Sequence, residues 1–201
     1  MIDVIKNSAA VIATIIALVA YIPYVIDMFR GKNKPHLYTW ISIFLITVVV
    51  AWIQVVGGAG IGAWPTILGA VINGVVLFYC FKYGTKDVRL IDKVCLAISI
   101  IGVATYIALQ GQPLIALAVV TVAEVVSFIP TFRKTRNDPY SESLTSYYLI
   151  MLKLVLILVA LEAYNLLTAS YSVLWLLVFA VFLVSVYVWR SKVKKPVNSK
   201  P

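Results

Sequence analysis

Charge is what this sequence has least of. Asp, Glu, Lys and Arg make up 12% of its 201 residues, while 62% are apolar. A soluble domain carries about a quarter charged residues, so too little polar side chain is present to clothe a water-soluble globule of this length. The mean hydropathy of +0.99 says the same. Histidine is almost missing: His36 stands alone, with no second metal-ligand type nearby, and no metal site is expected. The two cysteines, Cys80 and Cys95, fall near helix ends on the side assigned below to the reducing cytoplasm, so they read as small apolar residues and not as a disulfide. Ten-residue alternating patterns are absent, which argues against a membrane β-barrel. No nucleophile motif, catalytic carboxylate pair or metal-ligand spacing occurs, so neither an enzyme nor a bound cofactor is expected.

Long apolar runs fill the chain instead. They cover 9–28, 38–57, 64–83, 90–109, 113–132, 145–164 and 170–189, each near the roughly 20 residues that cross a bilayer core as a helix. The chain is expected to be one all-α transmembrane domain of seven spans, with a basic tail at 190–201. The first run is too long for a signal-peptide core and has only Lys6 before it, so it reads as a retained span.

Of the 17 cations, all but Lys6 and Lys153 lie in the first, third and fifth connections, at the helix ends that flank the third, or in the tail. The second, fourth and sixth connections hold none. This alternation follows the positive-inside rule. It predicts a multi-pass inner (plasma) membrane protein with its N-terminus outside and its C-terminus in the cytoplasm. The net charge of +9 is thereby a topology signal, and no nucleic acid partner is expected; the tail can meet anionic lipid headgroups.

The sequence also repeats itself loosely. Ile22-Pro23-Tyr24, a basic connection with Pro35, and Thr39-Trp40 are matched by Ile129-Pro130-Thr131, a basic connection with Pro139, and Thr145-Ser146-Tyr147. Two parallel three-helix units, about 9–83 and 113–189, would flank a linker helix at 90–109, a transporter design. Pro23 and Pro130 each remove a helix hydrogen bond at corresponding positions and are hinge candidates.

Together with Gly31-Lys32-Asn33-Lys34-Pro35-His36, Phe132-Arg133-Lys134 and Glu142, these segments resemble a bacterial branch of the PQ-loop and SWEET superfamily. The resemblance implies a 3+1+3 helical fold and transport of a small solute. The Pro-Gln dipeptide of that family is replaced by Pro23-Tyr24 and Pro130-Thr131. SWEET sugar pockets use one asparagine from the third helix of each unit; Asn73 fits the first, and helix 7 has none between Ser170 and Trp189. A sugar is therefore not carried over with the fold. Carriers of nicotinamide riboside share the 3+1+3 plan, so fold alone does not name a substrate.

Ionisable side chains at membrane depth are costly, about 2.5–3.5 kcal/mol near the centre on insertion scales, and usually face the bundle interior. Glu124 and Lys153 both fall about 12–14 Å from the basic side at 1.5 Å per residue. They are expected to interact directly or through water. Asn73 lies at mid-helix, and Trp52, Gln54 and Tyr106 lie toward the outer half of helices 2 and 4. These six residues form the expected substrate site. Glu162 reads as a rim residue, Asp27 as a cytoplasmic-side salt-bridge or cap residue, and Gly57 to Gly62 as a tight turn.

Two functions fit. One is a small-solute transporter working by alternating access around the central polar residues. The other is a receptor or scaffold of the same fold that moves nothing. A retinal protein is disfavoured because helix 7 has no lysine. Self-association is left open.

Overall fold

A computed structural model describes residues 1–30, 37–83, 90–108, 112–140 and 144–193. The described residues form seven α-helices and one short 3-10 turn, with no strand: α1 (Ile2–Phe29), α2 (Leu37–Val56), the turn at Gly60–Ala63, α3 (Trp64–Tyr83), α4 (Leu90–Ala108), α5 (Pro113–Asn137), α6 (Leu144–Ala160) and α7 (Leu166–Lys192). Three helical segments, Ile2–Ile22, Gly60–Lys82 and Leu166–Lys192, are long and apolar enough to cross a membrane, and shorter apolar helical stretches occur at Trp40–Val56, Leu96–Thr105, Pro113–Val122 and Leu144–Ala160. The outer surface is apolar as well: Ile15, Val71, Phe78, Leu177, Val181 and Val184 are all exposed. In water such a surface would drive aggregation; in lipid it is simply solvated.

The boundaries follow local chemistry. Pro113 opens α5, where its missing N–H costs nothing. Asn165 caps α7: its Oδ1 accepts from Leu167 N at 2.9 Å and Thr168 N at 3.1 Å, while Thr168 Oγ1 accepts from Asn165 N at 3.1 Å. α6 stops at Ala160, short of the expected 164, because the next residues leave the helix to bond another connection (below). α1 and α5 run without interruption through Pro23 and Pro130; the side chains of both, like those of Asp27, Cys95 and Tyr106, lie outside the described residues, as do His36 and 194–201.

Packing does not follow chain order. α3 lies between α1 and α2, and α7 lies between α5 and α6. Consecutive α5 and α6 do not pack along each other; they meet through the Phe128 and Tyr147 rings, 6.3 Å apart. The closest partner of α6 is α1. Ala9 and Ala10 of α1 are buried against Ala160 of α6, and small residues let helices approach closely where lipid supplies no hydrophobic drive. On the other flank α4 is wedged between α2 and α5.

At one end of the bundle the α2–α3 and α6–α7 connections are tied together. Glu162 N donates to Ala59 O at 3.1 Å, Ala163 N to Gly58 O at 3.2 Å, Asn165 Nδ2 to Gly57 O at 2.7 Å, and Ile61 N to Glu162 Oε1 at 3.2 Å. Gly58 and Gly60 take φ of 81° and 57°, conformations that other residues adopt reluctantly, and so allow the turn that presents these groups. Lys6 lies over the Tyr164 ring at this same end, 5.7 Å from its centroid. We call this arrangement the clasp. The opposite end carries Arg30, Lys82, Arg136 and Arg190, where Arg190 Nε donates to Pro139 O at 2.8 Å.

Apolar contacts are distributed unevenly between the two ends. Among the described residues, three clusters join α1–α3 to α5–α7, and all lie in the clasp-side half. Ile46, Val49, Val50 and Ile53 pack on Ala116, Leu117 and Val120. Ala9 and Ala10 pack on Ala160, and Ala59 and Ala63 on Leu161. Toward the basic end, Met28, Trp40, Val76 and Cys80 cluster within α1–α3. Phe128, Phe132, Tyr147, Trp175, Phe179 and Phe182 cluster within α5–α7, with ring centroids 4.8–6.3 Å apart in the contacts they make.

Candidate functional site

Polar residues gather at mid-height, between the clasp and the basic end. On the α1–α3 side the centre is Asn73, only 2% exposed. Its Oδ1 accepts from Tyr21 Oη of α1 at 2.8 Å, and its Nδ2 donates to Thr47 Oγ1 of α2 at 3.0 Å. Thr47 passes the chain on by donating to Ile43 O at 2.6 Å. One amide thus ties three helices together, the use expected of a polar side chain where no water competes.

On the α5–α7 side the centre is Glu124. A single oxygen, Oε2, accepts from both Tyr171 Oη and Trp175 Nε1, each at 2.8 Å. Tyr171 and Trp175 are one helical turn apart on α7, so both reach the same point on α5. One turn beyond Glu124, Phe128 stands edge-on to Trp175, with centroids 5.8 Å apart. Rings therefore wall the carboxylate on its basic-end side.

Lys153 of α6 shares a helix face with the buried Ile157 and Ala160, and is itself partly buried. It lies within electrostatic range of Glu124, yet no direct ion pair joins them. Tyr171 is in turn within electrostatic range of Tyr21. Through Tyr21, which bonds Asn73, and Tyr171, which bonds Glu124, the two clusters lie within electrostatic range of each other.

The remaining expected site residues scatter. Trp52 is 55% exposed on the outer surface, away from the polar centre. Gln54 is buried, at 1% exposure, and both polar atoms of its amide lack partners. It belongs to α2 near the clasp, not to the mid-height cluster. Ser172 Oγ on α7 is likewise enclosed and unpartnered. Glu162 sits in the clasp and is exposed. Tyr21, Thr47, Tyr171 and Trp175 are site residues that the sequence reading above does not include. Tyr171 and Trp175 were findable in principle as two donors at i and i+4 inside an otherwise apolar helix. Thr47 carries no such signal. Among the described residues no group of three or more His, Cys, Asp or Glu could hold a metal ion.

An all-helical chain with membrane-length apolar helices, an apolar exterior and a polar centre is a helical membrane protein. No family model matches the chain, and no curated protein or solved structure matches it either.

Proposed function

We propose that this protein is a small-solute carrier of the inner (plasma) membrane, with seven spans, its N-terminus outside and its basic end in the cytoplasm. In this reading α1–α3 and α5–α7 are the two halves of a 3+1+3 repeat and α4 is the linker. The matching helix order supports the repeat: in each triplet the third helix lies between the first two. If the triplets are related by a two-fold axis along the membrane normal, the α1–α6 contact corresponds to the α2–α5 contact, which is made and is flanked by α4.

The observation that carries the reading is the asymmetry of packing between the ends. Among the described residues, every apolar cluster shared by the two triplets lies on the clasp side, and the basic-end clusters stay within one triplet. A carrier closed on the outside and able to part on the inside has this distribution, with its polar site between. Rocking the triplets would open the clasp and close the basic end. Glu124, Lys153 and Asn73 are the solute-binding residues in this scheme, and Pro23 and Pro130 the hinges.

The test is flux into proteoliposomes across a panel of radiolabelled amino acids, sugars and nucleosides. Saturable uptake of at least one class, lost in Glu124→Gln at unchanged protein folding, is the expected result. Ligand binding without movement of any class would replace the carrier with a receptor of the same architecture.

A further inference from the structure

Opposite charges usually pair directly inside a membrane, because each then offsets the other's desolvation. Glu124 and Lys153 do not. They sit at similar depth on helices that α7 holds apart, close enough to feel each other and too far apart to touch. Their surroundings leave both ends available. Tyr171 and Trp175 occupy Oε2 of the carboxylate, and Oε1 accepts no hydrogen bond among the described residues. The Lys153 ammonium likewise makes no hydrogen bond or ion pair among the described residues. The fully enclosed polar side-chain atoms without partners belong to Gln54 and Ser172 alone among the described residues. Glu124 Oε1 and the Lys153 ammonium are not among these fully enclosed atoms.

We infer that the solute held here is a small zwitterion of the α-amino acid type, its ammonium on Glu124 and its carboxylate on Lys153. This rests on the reading of the centre as a solute site and specifies the solute. A neutral polyol would answer neither charge. A cation would leave Lys153 unanswered, and an anion would leave Glu124 so. A zwitterion answers both, and its side chain meets Phe128 and Trp175, whose rings stand beside the carboxylate. Apolar and aromatic side chains are accordingly favoured over charged ones.

The experiment measures binding to the purified full chain in nanodiscs by calorimetry, using L-phenylalanine, phenethylamine, 3-phenylpropanoate and D-glucose, with flux of the same compounds in proteoliposomes. L-Phenylalanine is expected to bind about tenfold or more tightly than the amine or the acid, since each analogue leaves one buried charge uncompensated. Lys153→Gln should erase the preference over the amine while keeping that over the acid, and Glu124→Gln should do the reverse. A purely structural charge pair would not exchange selectivities in this way. The wild-type series alone is decisive if either variant fails to fold. Equal binding of all three phenyl compounds, or binding of glucose in their place, overturns the zwitterion while leaving the carrier standing. Zwitterion binding without flux upholds the inference and removes the carrier.

Discussion

Single side chains at mid-height do unequal work. Asn73 ties three helices together, so Asn73→Ala removes the bond it accepts from Tyr21 and the bond it donates to Thr47 at once. A loss of about 1–2 kcal/mol is expected from thermal or SDS-induced unfolding in micelles, the range for interhelical polar bonds. Ser172 contrasts with it. Its hydroxyl is buried at 1% exposure without a partner, so Ser172→Ala removes an unanswered polar group and should be neutral or stabilising by up to about 1 kcal/mol. A clear destabilisation in the same assay would show that the hydroxyl is satisfied in the membrane.

Between elements, the most informative contacts are those of small residues. Ala10 and Ala160 let α1 lie against α6. Ala10→Leu inserts three carbons into that seam and should cost about 1–3 kcal/mol, as overpacking does elsewhere. The clasp depends on backbone shape in the same way. Gly60 has φ 57°, and a Cβ added there would run into the Glu162 carboxylate. Gly60→Ala should thus weaken the clasp, by about 1 kcal/mol from the backbone alone. Hydrogen exchange at Ile61 and Glu162 reports it directly: faster exchange confined to 57–63 and 161–165 is the expected pattern. Asn165→Ala removes both the cap of α7 and the bond to Gly57 O, and its effect should exceed the roughly 1 kcal/mol of a cap by itself.

For the whole molecule, the packing asymmetry makes a prediction about motion. If the halves rock, the clasp must part during each cycle. Cysteines replacing Ile61 and Glu162, in a chain with Cys80 and Cys95 changed to alanine, should cross-link through a short thiol reagent and stop flux; reduction of a cleavable linker should restore it. Full flux with the cross-link in place would show that the clasp is a fixed seam. The orientation has its own check. Impermeant thiol labelling in intact cells should reach a cysteine at position 162 and miss one at 136 or 190.

Sequence alone determined the parts that follow from solvent and local geometry. Apolar runs of bilayer length have to be helices, because lipid offers backbone groups no other partner, and the described helices lie within a few residues of those runs at most boundaries. The glycines at 57–62 announced a turn for the same local reason, and Gly58 and Gly60 adopt it. Glu124, Lys153 and Asn73 stood out because polarity inside oil is expensive. What sequence left undecided is which helix meets which. Glu124 and Lys153 fall at matching depth in the sequence, but α7 lies between α5 and α6 and the two charges form no direct pair. Tyr21 and Thr47 joined Asn73, and Tyr171 and Trp175 joined Glu124, across 26 to 52 residues of chain. A tyrosine or threonine in an apolar helix is cheap enough to face lipid or protein, so its one-dimensional context does not reveal its partner; only packing in three dimensions does.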